Sequence, residues 1–201
     1  MDRQVRAALQ QLSQLRLPAT LEHERRVGRL CAALAARLGL PADACHAHRI
    51  AAELHDVGKL ALPDAILDKP GALTAAEFAI VQQHALYGYQ VLTAANDSML
   101  TLAAEMALCH HERWDGSGYP HSLRGAAIPF SGRLAAPCDA YAALREARPY
   151  KQPVSHEAAM HLILAGDVGR DGIGPCMFDP AVLAVLTAHP NLFHDTLDAP
   201  D

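Results

Sequence analysis

The sequence predicts an all-α fold, and three observations carry that prediction. Hydrophobic residues make up 51% of the 201 positions, but aromatic residues only 5%. An alanine-rich interior of this kind suits closely packed helices, whereas strands favour β-branched and aromatic side chains. Val27, Leu30, Leu34 and Leu38 recur at three-to-four spacing, the stripe of an amphipathic helix. Start and stop signals punctuate the chain: Gly39 and Pro41 end that helix, Thr74 with Glu77 makes a capping box, and Asp179-Pro180 reads as an N-cap followed by a first-turn proline.

Taken in order, residues 1–18 read as an N-terminal helix or extension, suited to packing or to forming a homodimer. One domain follows over 19–188, then a C-terminal tail over 189–201. The first long helix carries His23 near its start. A second runs from about Ala42 to Asp56, with Ile50 and Leu54 on one face, and stops near Gly58. Further helices are expected over 74–83, from His84 onward, and from about Leu100 to His111. The stretch Trp114–Pro129 contains Gly116, Gly118, Pro120 and Gly125 and reads as a loop; ordered loops of that length are usually functional. A helix over about Ser131–Glu146 should kink at Pro137, and a last one covers Ala181–Ala188.

Composition narrows the function. A net charge of −5 without a long Lys or Arg run lacks the footprint of a protein that grips long nucleic acid. No stretch approaches the ~20 apolar residues that cross a bilayer, and the N-terminus lacks the apolar core of a signal peptide; a cytoplasmic protein without a membrane anchor is expected. Cys31, Cys45, Cys109, Cys138 and Cys176 are odd in number and contain no CxxC pair, so they are read as reduced and mostly buried, and a zinc finger is not expected.

Histidine is the anomaly, with 12 residues beside 22 acidic ones. Imidazole is the commonest metal ligand and a proton carrier near neutral pH. His23, His55-Asp56, His84, His110-His111 and Asp139 are the candidates, several at expected helix ends, where packed helices can bring ligands together. Taken singly, a histidine on a helix is more often a surface or satisfied core residue, and an adjacent His-Asp pair is common by chance. Neighbouring histidines on a helix point about 100° apart, so His110 and His111 can both ligate only at a helix end or across a two-metal cluster. A carboxylate such as Asp56 can bridge two cations; a bridged pair about 3.5–4 Å apart activates water and clamps both oxygens of a phosphodiester displacement. Imidazole and carboxylate without thiolate suit Fe or Mn, with Zn admitted. His46, His48, His121, His156, His161, His189 and His194 are expected at the surface.

The order of these residues resembles one family. His23-x-x-Arg26-Val27, Leu54-His55-Asp56-Val57-Gly58-Lys59, His84, and His110-His111-Glu112-Arg113-Trp114-Asp115-Gly116-Ser117-Gly118-Tyr119-Pro120 are similar to the HD-GYP family. Asp139, Arg148-Pro149-Tyr150-Lys151 and Phe178-Asp179-Pro180 continue the likeness, which covers about residues 20–185. The resemblance implies an HD-superfamily helical bundle with a long GYP-containing loop. It also implies a phosphodiesterase that hydrolyses cyclic di-GMP to pGpG, sometimes onward to GMP, with hydroxide activated at a binuclear metal site. It assigns one ion to His23, His55, Asp56 and Asp139, and the other to Asp56, His84, His110 and His111, with Asp56 bridging. Lys59 would approach the scissile phosphate. Arg148 and Lys151 would contact the other phosphate or a guanine, unless they are a surface charge pair. Tyr119 would either stack on substrate or shape the loop.

The chain also departs from that pattern. Where some members place a glutamate that recruits a third metal, it has Ala19, with Glu22 and Glu24 nearby, so two ions are expected. Ala142 stands where a second carboxylate is common, and Pro137 precedes Asp139 by two residues and could re-aim it. The alternative these changes leave is a catalytically weak cyclic di-GMP sensor, or a module that binds a diguanylate cyclase (GGDEF) partner through the loop around Tyr119.

Overall fold

The computed structural model describes residues 2–18, 20–94, 98–147 and 152–198, and every regular element among them is helical. In chain order these are α1 (Asp2–Arg16), α2 (Leu21–Arg37), α3 (Ala42–Ala52), a 3-10 turn (Val57–Ala61), α4 (Asp64–Leu67), α5 (Ala75–Thr93), α6 (Ser98–Cys109), a 3-10 turn (Gly125–Ala127), α7 (Phe130–Arg145), α8 (His156–Ala165), α9 (Val168–Asp171), a 3-10 turn (Pro175–Met177), α10 (Pro180–Ala188) and α11 (Leu192–Asp198). The apolar stripe of α2 is the centre of the bundle: Val27, Leu30, Cys31 and Leu34 are fully buried, and the helix packs on α3, α7 and α11. Small residues permit this closeness elsewhere too, as in Ala103, Ala104 and Ala107 of α6, which packs on α3, α5 and α7.

Three expectations about element ends are corrected. Helix α3 stops at Ala52, so His55 and Asp56 lie in a tight turn leading into the 3-10 segment rather than on a helix end. The reason is packing: a Cβ on Gly58 would stand 1.9 Å from the His84 carbonyl oxygen and 2.4 Å from the Gly88 nitrogen, so the turn presses its bare backbone onto α5. The capping box at Thr74 forms, with the Glu77 N–H donating to Thr74 Oγ1 at 3.3 Å and the Thr74 N–H donating to Glu77 Oε2 at 2.7 Å. Helix α5 then runs unbroken through His84 to Thr93: no proline interrupts it, and its Gly88 is buried where the turn at Gly58 packs on it. His110 and His111 follow the end of α6 instead of belonging to it.

Pro137 sits inside α7, and the helix continues through it to Arg145. Residues 192–198, in the stretch expected as a C-terminal tail, form α11 and bury Phe193 completely. Two histidines expected at the surface are buried. The Nδ1–H of His48 donates to the Ala44 carbonyl at 2.8 Å, with its ring edge-on to Phe130, and His156 Nδ1 shares a 2.9 Å hydrogen bond with the Tyr141 hydroxyl. Cys31, Cys109 and Cys138 are buried, Cys45 is half-buried and Cys176 is exposed; all are free thiols.

Candidate metal centre

Local helix geometry prepares three of the histidines. His55 Nδ1 lies 2.6 Å from the Ala52 carbonyl, His84 Nδ1 2.6 Å from the Val81 carbonyl, and His110 Nδ1 2.9 Å from the Ala107 carbonyl. A carbonyl can only accept, so each Nδ1 carries the proton and each Nε2 keeps its lone pair. Those three lone pairs meet at Asp56. His55 Nε2 is 3.4 Å from Asp56 Oδ2, while His84 Nε2 and His110 Nε2 are 3.3 and 3.8 Å from Oδ1. The two oxygens of one carboxylate therefore face different imidazoles.

The described residues contain two groups whose donor atoms lie within 4.8 Å of one another: Asp56, His84, His110 and His111, and His23, His55 and Asp139. All seven expected ligands are thus brought together from segments far apart in the chain. Pro137 does not misdirect Asp139, whose Oδ1 is 2.9 Å from His23 Nε2 and 3.9 Å from His55 Nε2.

The donor set fits cations. His84 Nε2 and His110 Nε2 face each other at 3.4 Å with no proton available between them. His55 Nε2 and Asp56 Oδ1 are buried without a hydrogen-bond partner, a costly arrangement unless a positive charge satisfies them. Burial and the neighbouring imidazoles hold His110 far below the ordinary histidine value, and burial brings His111 down to about 3. Burial opposes ionisation of Asp56, but Lys59 and the surrounding imidazoles outweigh it and keep the carboxylate ionised. Neutral imidazoles and an ionised carboxylate are the protonation states that ligation requires.

The second group is built differently. His23 Nε2 contacts Asp139 and Nδ1 contacts Glu146 at 3.0 Å. Burial lowers its pKa, but hydrogen bonds to those two carboxylates overcome the burial and raise it to about 10. A cation bound here would replace a proton.

Around these groups lies a cavity of about 720 Å³, lined among others by Lys59, Leu67, Phe78 and Tyr119 together with His23, Asp56, His84, His111 and Asp139. The Lys59 ammonium is paired with Asp56 Oδ2. The Tyr119 ring lies nearly parallel to the His111 ring, centroids 4.7 Å apart. The loop that carries it is closed onto the ligand turn: a Cβ on Gly118 would stand 2.5 Å from the His111 carbonyl oxygen. Arg148 and Lys151, and Ala19 at the third-metal position, lie outside the described residues.

Three participants escaped the sequence reading. Glu146, which contacts His23, is the residue at which α7 ends, seven after Asp139, and its extended backbone lies outside any helical spacing that the sequence could have signalled. Glu112 is buried and accepts the His121 N–H at 2.7 Å and the Leu123 N–H at 2.9 Å, pinning the loop after Tyr119. Glu24 is buried beside His23, and burial together with the Asp56 charge raises it to about 7.

Comparison with known proteins agrees with this geometry. The family model described as HD domain matches residues 7–168. Over 155 residues the chain is 44% identical to a cyclic di-GMP phosphodiesterase of Thermotoga maritima, covering 77% of this chain and 42% of that protein. It is 41% identical over 167 residues to a 3'3'-cGAMP-specific phosphodiesterase of Vibrio cholerae, covering 83% of this chain and 31% of the relative. The chain therefore spans less than half the length of these curated relatives. Among solved structures, the HD domain of the L. monocytogenes phosphodiesterase PgpH in complex with cyclic-di-AMP superposes with a TM-score of 0.65 at 16% identity, covering 96% of this chain and 98% of that one, a likeness of fold. No helix of the described residues is long and apolar enough to cross a membrane. With the family model matched over most of the chain, the HD step at His55-Asp56 and the GYP loop folded over the histidine cluster, the chain belongs to the HD domain family, in the HD-GYP form.

Proposed function

We propose that this chain hydrolyses cyclic di-GMP to pGpG at a pair of divalent cations, Fe or Mn by ligand type. The observation that carries the reading is the Asp56 carboxylate, whose Oδ2 faces the His55 group and whose Oδ1 faces His84 and His110. One residue can thus serve both ligand groups, the arrangement a bridged pair needs. His23, His55 and Asp139 would complete one position, and His84, His110 and His111 the other. A bridged pair supplies an activated water and Lewis-acid stabilisation of the phosphoryl oxygens.

The chain's own residues do the rest. The imidazole tautomers are set by the Ala52, Val81 and Ala107 carbonyls, so the ligands need no rearrangement. Lys59, held at Asp56, stands where negative charge builds on a phosphate during displacement. A cavity of about 720 Å³ lies within the range of small-molecule sites. Water adds across one P–O3′ bond; the phosphate stays on the 5′ side, and the 3′ oxygen leaves as a hydroxyl. The relatives' names support the substrate class, as cyclic di-GMP and 3'3'-cGAMP share this linkage.

Anaerobically prepared protein loaded with Fe(II) or Mn(II) should convert cyclic di-GMP to pGpG, read by chromatography, with two ions per chain by elemental analysis. Binding of cyclic di-GMP without turnover under Fe(II), Mn(II) and Zn(II) would replace this reading with that of a sensor.

A further inference from the structure

Phe78 is 46% exposed and lines the cavity that contains Asp56, Lys59 and His111. Tyr119, the aromatic residue the sequence offers as a stacking surface, is already engaged. One face covers His111, and its ring meets Phe78 edge-on, with centroids 6.1 Å apart at 84°. Of the two rings lining the cavity, Phe78 is the exposed one and Tyr119 is half-buried. Asp68 lines the same cavity from the end of α4, where its N–H donates to the Asp64 carbonyl at 2.8 Å. Lys69 Nζ and Glu77 Oε2, 2.5 Å apart, tie the residue after Asp68 to the residue before Phe78. Phe78 and Asp68 thus line one cavity with the candidate metal-binding groups, and an ion pair joins the residues next to them.

We propose that Phe78 and Asp68 form a guanine-reading subsite, in which the base stacks on Phe78 and donates its N1–H and N2–H to the Asp68 carboxylate. This inference rests on the cyclic di-GMP reading above and deepens it. Base–aromatic stacking is tolerant of base identity, so Phe78 supplies affinity and Asp68 supplies choice. Adenine presents an unprotonated N1 at the corresponding edge, which would leave the carboxylate facing an acceptor; mismatches of that kind discriminate more strongly than a missing apolar contact.

Phe78→Ala should raise KM for cyclic di-GMP about tenfold while kcat stays within about twofold. Phe78→Leu should rank with alanine, and Phe78→Trp should restore or improve KM, an order that hydrophobic filling alone would not give. Asp68→Asn and Asp68→Ala should lower the ratio of kcat/KM for cyclic di-GMP over cyclic di-AMP by about tenfold or more. Metal content should be unchanged in every variant. The natural chain has one tryptophan, Trp114, so Phe78→Trp adds a reporter that guanine should quench on titration with pGpG in chelated protein. If the wild type turns over neither cyclic dinucleotide, the proposed reaction fails, and the quench alone decides the subsite. An unquenched Trp at position 78, a KM unmoved by Phe78→Ala in an active enzyme, or an unchanged base ratio in the Asp68 variants would overturn the inference.

Discussion

The two halves of the candidate centre are made of the same residue types and held by different means. The His84 half is deeply buried: the His84 and His110 side chains are 1% and 0% exposed, and backbone carbonyls three residues back meet their Nδ1 atoms. The His23 half rests on contacts between side chains more than 100 residues apart, with Asp139 and Glu146 19% and 20% exposed. In the first half, local backbone carbonyls orient the rings of His84 and His110. The second depends on α2 and α7 staying docked and on which protons are present. That difference teaches that two candidate ligand groups flanking one carboxylate can be held by different means, one by nearby backbone carbonyls and one by distant side chains.

The harshest way to break the comparison is to remove what the halves share. Asp56→Ala should empty both positions and lower turnover by at least about a thousandfold; elemental analysis showing two ions in an active variant would end the bridging role. His84→Ala strikes the His84 half alone. It should reduce bound metal from two ions to one and turnover about a hundredfold, whereas a variant retaining both ions would show that His84 is not a ligand.

Glu146→Gln tests the His23 half. Loss of the carboxylate behind His23 should weaken metal affinity there by about 10–100-fold, as supporting partners of ligands do elsewhere, without changing the His84 side. Competition with a chelator, read as two separate release steps, would reveal it; equal weakening of both steps would contradict the division.

The smallest effect concerns chelated protein. His23, raised from 6.5 to about 10, contributes stability that is complete below the unfolded value of 6.5 and is lost as pH climbs through about 10. His111, lowered from 6.5 to about 3, works in the opposite sense: stability falls as pH drops from 6.5 towards 3, because only the unfolded chain takes up the proton. Thermal unfolding of the metal-free protein should therefore give its highest Tm near pH 6.5. Glu146→Gln should flatten the alkaline side and leave the acidic side unchanged.

Much of the site was legible before the fold. The HD step and the HHExxDGSGYP block are contiguous, and ligand identity depends on side-chain chemistry that one-dimensional order preserves. The capping box at Thr74 was equally readable, since it spans four residues. The end of α3 was not, because its cause, the approach of Gly58 to α5, lies 26 residues further on at His84. For the same reason His156 looked like a surface residue until Tyr141 was placed beside it.

By itself, the sequence determined the helical class, the candidate ligands and the loop that closes over them, all of which follow from local propensity and from residue chemistry. Only the tertiary structure decided which oxygen of Asp56 faces which imidazoles, that Glu146 stands behind His23, and that Phe78 is more exposed than Tyr119 in the shared cavity. Those facts depend on distances between helices, and such distances are set by how side chains fill the space between them, which spacing along the chain does not encode.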